Sequence, residues 1–481
     1  MNKTKIISFP DLQKAAKRQL KNIPDIREAN KLASKRLKEY LAGKSYCLFT
    51  SGCQANVRDS EIIKAYLDNL NMKQIEDVNT ASLILFNTCA IRENAETKIY
   101  GELGHLKPLA LNDKDKIIGI CGCMAQEEKP ITYIKEKFPF VRLIFGTHNI
   151  DDIYSLLDEV IFNDERLIDV PSIEGSVVEN YPSTRFEKYK AFVNIMYGCD
   201  NFCTYCIVPY TRGRQRSRSI ESVVNEVISL KEQGYKEVTL LGQNVNAYGV
   251  DLKDENITFA KLLEEVAKTG IERVRFTTSH PAYFTLDVFD VMAKYPNIMK
   301  ALHLPLQSGS DNILLRMNRH YTNEKYLYLV DELRKRIPDI YLTTDIIVGF
   351  PNETDEDFEK TIELCNKVKF DNAFTFIYSK RDGTPAAKMQ DKISDKTKSE
   401  RFSILQQTID KYATINAQNM VNKTVEVLFD GVSKRDKNMI SGYDNYFHLV
   451  HVKANPSIIG KILKVKIVSS HTYSLIGEIC D

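Results

Sequence analysis

Three cysteines in one short loop carry the clearest chemistry in this sequence. Cys199, Cys203 and Cys206 follow C-x3-C-x2-C spacing, directly after an apolar run over residues 191–197 that predicts a strand. A structural zinc site takes four protein ligands, and a cubane iron–sulfur cluster has four irons that four thiolates normally hold. Three thiols leave one iron open to bind a small molecule. The alternative is a zinc site whose fourth ligand lies elsewhere, for example at one of the eight histidines.

A second group of cysteines lies upstream, where three predicted strands end. The apolar runs that predict buried parallel strands cover residues 46–50, 83–87 and 117–121, with helical patterns over 60–70 and 93–106 between them. These runs lead into Cys53, Cys89 and the pair Cys121 and Cys123. Ligands collect at the carboxyl ends of parallel strands, so we expect a second three-thiol site there. A strand end is also an ordinary place for a buried thiol. We assign Cys123, in the loop beside Gly122, to the site and Cys121 to the core.

The composition is that of an ordinary globular protein. Of the 481 residues 43% are hydrophobic and 27% charged, and the net charge is +2. Roughly two to four domains are expected for this length. No apolar run approaches the ~20 residues of a membrane span, and the N-terminus lacks the apolar block of a signal peptide. We therefore expect a cytoplasmic protein without a membrane segment, whose ten cysteines are reduced thiols and metal ligands.

Residues 1–44 are more basic than the rest of the chain. They contain 12 Lys or Arg against 4 Asp or Glu. Basic residues recur at helical spacing: Lys14, Lys17, Arg18 and Lys21, then Lys31, Lys35, Arg36 and Lys38. Such an arm can contact RNA phosphates, and it can equally be a solvated tail, so both interpretations stay open.

Residues 191–380 repeat a strand and a helix six times. Strand-like runs cover 192–196, 237–241, 273–277, 301–306, 342–348 and 372–378. Helical patterns between them include 220–233, 259–268, 323–336 and 356–368. Six such units predict a partial (β/α)6 barrel, incomplete relative to eight. Chemistry in such a barrel belongs to the loops that follow the strands, and the C-x3-C-x2-C loop follows the first strand.

The chain ends in a small β domain. A long polar helix from Ser394 to about residue 420 leads to short predicted strands at 424–429, 447–452, 462–468 and 474–479. Basic and aromatic side chains are mixed there as on an RNA-binding surface, although many β-surfaces also carry such residues. They are Lys434, Arg435, Lys437, Tyr443, Tyr446, Phe447, His448 and His451. We expect five segments: a basic extension (1–44), an α/β domain (45–160), a linker (161–190), a barrel with its exit helix (191–420) and a β domain (421–481).

This order of parts resembles the methylthiotransferases of the radical S-adenosylmethionine superfamily. Its sequence motifs are most similar to those of the MiaB type, the tRNA-2-methylthio-N6-dimethylallyladenosine synthases. The matching stretches, spread over residues 45–481, are Thr50-Ser51-Gly52-Cys53-Gln54-Ala55-Asn56, Asn87-Thr88-Cys89-Ala90-Ile91-Arg92, Gly122-Cys123-Met124-Ala125-Gln126, residues 197–214, Leu241-Gly242-Gln243-Asn244-Val245-Asn246 and residues 433–438. The sequence of residues 207–211 resembles this type more than the related types of the same family. Ser51 stands where the family usually has threonine, and residues 1–44 lie outside the resemblance.

The resemblance implies an α/β fold class with an N-terminal doubly wound α/β domain, a partial (β/α)6 radical S-adenosylmethionine barrel and a small C-terminal TRAM β-barrel. It implies two 4Fe–4S clusters. Cys199, Cys203 and Cys206 would hold the first, whose open iron binds S-adenosylmethionine. Cys53, Cys89 and Cys123 would hold an auxiliary cluster that carries the sulfur to be inserted. The implied product is a methylthio group at C2 of N6-(dimethylallyl)adenosine at tRNA position 37, with a second S-adenosylmethionine supplying the methyl group.

Polar residues on the barrel rim are the candidate contacts for S-adenosylmethionine and the nucleoside: Tyr205, Gln243, Asn244, Ser279, His280, Ser379 and Arg381. Lys434, Arg435 and Lys437 are the candidate RNA contacts. The implied partners are the tRNA anticodon stem-loop, a reducing electron donor and a sulfur donor, with the chain acting as a monomer. The alternatives are the same chemistry on threonylcarbamoyladenosine in tRNA or on a ribosomal-protein aspartate, and a non-catalytic zinc-dependent RNA-binding module.

Overall fold

The computed structural model describes residues 4–16, 26–30, 32–90, 93–172 and 177–480. These residues form a parallel α/β domain, a partial barrel of strand–helix units and a small closed β-barrel, in that order along the chain. The predicted fold class is confirmed. None of the helices within the described ranges is long and apolar enough to cross a membrane.

The N-terminal domain is built on one parallel sheet. Its strands are β1 (Thr4–Ser8), β2 (Ile26–Glu28), β3 (Ser45–Ser51), β4 (Lys73–Gln74), β5 (Leu83–Thr88), β6 (Ile117–Gly122), β7 (Val141–Phe145), β8 (Arg166–Asp169) and β9 (Val177–Glu179). Its helices are α1 (Leu12–Ala16), α2 (Lys35–Leu41), α3 (Gln54–Asp68), α4 (Glu93–Asn112), α5 (Glu128–Lys137) and α6 (Ile153–Phe162). Seven strands pair in the order β1-β8-β7-β6-β5-β3-β4, while β2 pairs with β9. Every residue of β5 and β6 is buried, which explains the apolar runs over residues 83–86 and 117–121.

The described part of residues 1–44 packs on this domain. β1 is the edge strand that pairs with β8, and Leu37 and Leu41 of α2 are buried in the apolar core. Four of the predicted basic residues, Lys17, Arg18, Lys21 and Lys31, lie outside the described residues. β8 lies within the segment predicted as a linker, and it joins the sheet because its Leu167 and Ile168 side chains are completely buried.

The second unit supplies six parallel strands with helices on their outer side. Its strands are β10 (Lys190–Asn194), β11 (Met196–Tyr197), β12 (Arg216–Ser217), β13 (Glu237–Leu241), β14 (Arg273–Phe276), β15 (Ala301–His303), β16 (Tyr341–Val348) and β17 (Asn372–Ile377). Its helices are α7 (Val208–Thr211), α8 (Ile220–Glu232), α9 (Phe259–Lys268), α10 (Leu286–Lys294), α11 (Asp311–Arg316), α12 (Asn323–Arg336), α13 (Asp355–Val368) and α14 (Asp395–Gln418). The parallel groups are β10-β13-β14 and β15-β16-β17, and Val274 of β14 makes an isolated parallel bridge with Ile298, just before β15. Most outer helices begin after a Ser or Thr whose side chain accepts a hydrogen bond from the first turn: Ser219, Thr258, Thr322, Thr354 and Ser394.

The C-terminal unit is a closed five-stranded barrel that docks on the second unit. Its strands are β18 (Thr424–Val432), β19 (Ile440–Asp444), β20 (Leu449–Val452), β21 (Ile462–His471) and β22 (Ser474–Ile479), paired in the order β18-β19-β20-β22-β21. Buried Arg273 of β14 donates to the carbonyl of Tyr443 at 2.6 Å and to that of Glu426 at 2.7 Å. These bonds hold the small barrel against the end of the partial barrel opposite the cysteine loop.

Five charged side chains, none more than 18% exposed, join the N-terminal domain to the partial barrel. Glu226 of α8 pairs with Arg58 of α3 at 3.1 Å, with Arg185 at 2.6 Å and with Arg218 at 2.7 Å. Glu61 of α3 pairs with Arg185 at 2.8 Å. Burial opposes ionisation of Glu226, but the three guanidinium groups outweigh it and lower its pKa to about 2. This network fixes the two units against each other.

Candidate functional site

The C-x3-C-x2-C loop leaves the barrel through a glycine. Gly198 follows β11 with a φ of +71°, and a Cβ there would lie 2.0 Å from the carbonyl oxygen of Arg214, so only glycine fits. Further along the loop, the amide of Cys206 donates to the carbonyl of Cys203 at 2.9 Å. The local backbone therefore folds the three cysteines into one small region.

Burial favours the protonated form of two thiols of this loop, and a buried arginine lies beside the third. Burial raises the pKa of Cys199 to about 12, and burial with the neighbouring Cys203 and Cys199 also raises the pKa of Cys206. Arg319, which is buried, lies with Nη1 3.4 Å from Cys203 Sγ. Neighbouring thiols, of which Cys199 and Cys203 are buried, become thiolates together only when positive charge compensates them. A metal cluster would supply most of that charge, and Arg319 supplies part.

The upstream cysteines converge because their strands are neighbours in the sheet. Cys53 precedes α3 after β3, Cys89 follows β5, and Cys123 follows β6, with β5 between the other two strands. Two glycines allow the close approach. A Cβ at Gly52 would lie 2.5 Å from the Cβ of Cys89, and one at Gly122 would lie 2.6 Å from a carbonyl oxygen of β5. Three separate strands thus deliver their thiols to one edge of the sheet.

The surroundings of this second site shift the pKa values of two of its thiols in opposite directions. A hydrogen bond with the Cys89 thiol outweighs burial and, with help from Arg212, lowers the pKa of Cys53 to about 5. Burial raises the pKa of Cys123 to about 11, although Arg212 opposes this rise. Arg212 Nε donates to Cys123 Sγ at 3.2 Å. Each three-thiol site therefore contacts one buried arginine.

Cys121 and Cys123 lie in different surroundings. Cys121 is 1% exposed and belongs to the apolar cluster that contains Leu85 and Leu143. Cys123 belongs to a small cluster at the boundary with the partial barrel, which includes Ile207 and Ala15 of α1. Gly122, with a φ of +92°, redirects the chain between the two cysteines.

Each thiol group supplies three sulfur donors, the number that would leave one iron of a cubane cluster open. A tetrahedral zinc site needs four ligands at about 2.0–2.3 Å from one ion. A cubane instead distributes three thiolates over three irons. The all-sulfur donor sets and the adjacent guanidinium groups match that chemistry.

The barrel rim beside the first site holds buried polar atoms without hydrogen-bond partners. Within the described residues these include Gln243 Oε1, Asn244 Oδ1, Ser279 Oγ, His280 Nε2, Gln307 Oε1 and Arg319 Nε. Burial, with Arg319 nearby, lowers the pKa of His280 to about 2, so its ring is neutral at physiological pH. Buried polar groups normally have partners, so this cluster is suited to a polar ligand. Four of the predicted contacts, Gln243, Asn244, Ser279 and His280, belong to it.

Three further predicted rim contacts are Tyr205, Ser379 and Arg381. Tyr205 lies between Cys203 and Cys206, packs against the apolar cluster that contains Phe350, and has its pKa raised by burial. Arg381 lies close enough to Glu127 of the N-terminal domain to oppose the rise that burial causes in the pKa of that carboxyl. Lys129 pairs with Asp382 at 3.1 Å in the same region. The loop that contains Ser379 and Arg381 therefore faces the N-terminal domain.

The inner face of the partial barrel exposes aromatic side chains below this rim. His303 of β15 contacts Asp345 of β16 at 3.3 Å and the Phe374 ring of β17 at 5.9 Å between ring centres. Phe374 is 57% exposed and Phe376 51%. Such adjacent exposed aromatic rings are unusual away from binding surfaces.

The predicted RNA-binding residues divide into two groups. Lys434, Arg435 and Lys437 are exposed in the loop between β18 and β19. The aromatic residues contact the partial barrel. Tyr443 stacks on Phe447, and the Arg275 guanidinium carbon lies 3.4 Å from the centre of the Phe447 ring. Tyr446 donates to Asp339, and His448 lies edge-on to Tyr341 at 4.6 Å. A cation over an aromatic face is favourable, so this surface stabilises the docking of the two units.

Sequence reasoning missed Arg212, Arg319 and Gln307. Arg212 stands within the stretch 197–214, but nothing in its spacing indicates contact with Cys123. Arg319 follows α11 without any recognisable motif. For Gln307 the sequence offered one indication, its position in a polar loop that follows a strand of the barrel, β15.

Three family models match the chain: the Radical SAM superfamily over residues 193–365, the Uncharacterized protein family UPF0004 over 45–146 and the TRAM domain over 418–480. They coincide with the partial barrel, most of the parallel sheet and the closed barrel.

Curated relatives match over nearly the full chain. The tRNA-2-methylthio-N(6)-dimethylallyladenosine synthase of Malacoplasma penetrans is 48% identical over 486 residues, covering 98% of this chain and 99% of its own. The enzyme of the same name from Bacillus subtilis is 49% identical over 436 residues, covering 91% and 86%. Among solved structures, the radical S-adenosylmethionine methyltransferase TsrM from Kitasatospora setae superposes with a TM-score of 0.52 at 14% identity, covering 72% of this chain and 75% of its own. That likeness concerns the fold alone.

Proposed function

The chain belongs to the family of tRNA-2-methylthio-N(6)-dimethylallyladenosine synthases, and on that premise we propose that it attaches a methylthio group to C2 of N6-(dimethylallyl)adenosine, next to the tRNA anticodon. It is a radical S-adenosylmethionine enzyme, which uses a 4Fe–4S cluster and S-adenosylmethionine. Cys199, Cys203 and Cys206 would hold this cluster. The bound cofactors supply the one-electron chemistry that activates the C2–H bond.

A second cluster at Cys53, Cys89 and Cys123 is the finer part of the proposal. It would present the sulfur that is inserted. The observation that carries the proposal is the pair of three-thiol sites, each beside one buried arginine, Arg319 or Arg212. One cluster of this kind would suffice to activate a C–H bond, whereas Cys53, Cys89 and Cys123 would hold a second one to present the inserted sulfur.

The barrel residues would bind and orient the substrates. Gln243, Asn244, Ser279 and His280 offer unpartnered polar atoms to S-adenosylmethionine and the ribose. Phe374 and Phe376 offer an apolar wall to the adenine and its dimethylallyl group, which excludes water from the reacting carbon. A base in a loop is turned into such a pocket at lower cost than a paired base.

The RNA partner would be the anticodon stem-loop. Lys434, Arg435 and Lys437 on the closed barrel are exposed and positively charged, as phosphate contacts require. The proposed setting is cytoplasmic, with the chain acting as a monomer that receives electrons from a reducing donor and sulfur from a sulfur donor.

Nucleoside analysis of tRNA tests this function. In a strain that lacks the gene, the methylthio group should disappear from the modified adenosine while the dimethylallyl group remains. The wild-type chain should restore the group. A Cys53→Ala chain should not restore it, although it should still cleave S-adenosylmethionine in vitro. Full methylthiolation in the deletion strain would refute the assignment.

A further inference from the structure

One arginine of the partial barrel contacts the upstream thiol site. Arg212 donates from Nε to Cys123 Sγ at 3.2 Å and from Nη2 to Asp59 Oδ2 at 2.6 Å. The side chains of Arg212 and Asp59 are only 8% and 5% exposed. Cys123 and Asp59 both belong to the N-terminal domain. A single side chain therefore connects the upstream site to the other domain.

The short helix α7 connects this arginine to the downstream site. Cys206 lies two residues before Val208, the first residue of α7, and the amide of Arg212 donates to the Val208 carbonyl at 2.8 Å. Thr147 of the N-terminal domain donates to the Thr211 carbonyl at 2.6 Å. A thiol of the downstream site and the side chain that contacts the upstream site are thus six residues apart, on either side of the anchored helix α7.

Only a guanidinium group makes both of these contacts. Its planar fork donates in two fixed directions, whereas a lysine ammonium is a point charge on a flexible stem. Hydrogen bonds and positive charge at cluster sulfurs stabilise the reduced cluster and raise its reduction potential. The Asp59 carboxylate brings the opposite charge to the same place.

We propose that Arg212 is a positioning residue for sulfur insertion: it holds the upstream site against the downstream loop and raises the reduction potential of the upstream cluster. This proposal rests on the function proposed above. A plain structural ion pair between Arg212 and Asp59 makes a different prediction, because removal of either partner would then have the same effect.

The potential of the upstream cluster separates these two roles. It is measured by EPR-monitored titration in full-length protein whose Cys199, Cys203 and Cys206 are replaced by alanine. We expect Arg212→Gln to shift the potential to a more negative value and Asp59→Asn to shift it to a more positive value. Arg212→Lys should fall between wild type and Arg212→Gln. Arg214 is the control: its guanidinium lies in the same loop but pairs with Asp200 at 3.4 Å. Arg214→Gln should therefore leave the reduction potential of the upstream cluster unchanged.

Turnover supplies the second measurement, in the chain with all cysteines intact. Arg212→Gln should cleave S-adenosylmethionine within about twofold of the wild-type rate, while methylthiolated tRNA per cleaved cofactor falls about 10- to 100-fold. Equal potentials in all variants, or shifts of the same sign for Arg212→Gln and Asp59→Asn, would overturn the proposal. If Arg212→Gln does not retain iron, the test rests on Asp59→Asn alone. A reduction potential of the Asp59→Asn cluster at or below the wild-type value would then overturn the proposal.

Wild-type protein distinguishes failure of this proposal from failure of the proposed function. A wild-type chain that assembles no upstream cluster refutes both. A chain that assembles the cluster but methylthiolates no tRNA refutes only the substrate, and the signs of the two shifts still decide the role of Arg212.

Discussion

Cys121 and Cys123 offer a test in which the same atom is removed at two positions separated only by Gly122. Cys123→Ala removes a sulfur that faces the partial barrel and Arg212. Cys121→Ala removes a sulfur from the apolar core beside Leu85 and Leu143. Because the substitutions are identical and two residues apart, any difference between the variants reflects the place of each side chain.

The structure predicts that Cys123→Ala loses iron, whereas Cys121→Ala loses only stability. A 4Fe–4S cluster that loses one of three thiolates is not retained, so iron should fall from about eight to about four per chain in Cys123→Ala. Cys121→Ala should keep about eight irons. Its side chain is 1% exposed, so the cavity should cost about 1–2 kcal/mol of unfolding free energy. That corresponds to a fall of a few degrees in Tm.

Iron and acid-labile sulfide are counted after anaerobic reconstitution, and Tm is measured on the metal-free chains. Cleavage of S-adenosylmethionine should survive in both variants, whereas methylthiolation should survive only in Cys121→Ala. Loss of half the iron from Cys121→Ala, with full iron in Cys123→Ala, would refute the assignment of the third ligand and the separation of the two environments.

Three further predictions concern the elements around the sites. Glu226→Gln should lower the unfolding free energy of the metal-free chain by about 3 kcal/mol at pH 7. Because the pKa of Glu226 is lowered from 4.5 to about 2, its contribution is complete above pH 4.5 and is lost as pH falls toward 2. Urea denaturation of both chains should therefore converge at low pH; a constant difference would contradict this. Gly122→Ala should cost about 3 kcal/mol or more, since it places a Cβ 2.3 Å from a side-chain oxygen at a φ of +92°, whereas Gly104→Ala on exposed α4 should be stabilising or neutral in the same denaturation assay. Phe374→Ala should lower kcat/KM for dimethylallylated tRNA about tenfold through lost apolar contact. The control Leu315→Ala, 82% exposed on α11, should not change it, and an equal fall would remove Phe374 from the substrate pocket.

Interfaces were the hardest features to predict from the sequence. The aromatic residues of the C-terminal unit have the composition of an RNA-binding surface, yet Tyr443 and Phe447 pack against Arg275 of the partial barrel. The basic segment at the N-terminus suggested an arm, yet Leu37 and Leu41 of α2 are core residues. Both kinds of surface use the same residue types, so composition alone does not distinguish an RNA contact from a domain contact.

The sequence by itself determined the features that depend on neighbours along the chain. The spacing of Cys199, Cys203 and Cys206 specifies a local loop, and apolar periodicity specifies the six strands of the partial barrel. Only the tertiary structure decided which distant residues meet. The adjacency of β3, β5 and β6 brings Cys53 and Cys89 together, and the packing of the two domains brings Arg212 to Cys123. Contacts between residues far apart in sequence arise from strand order and domain docking, and no local spacing records them.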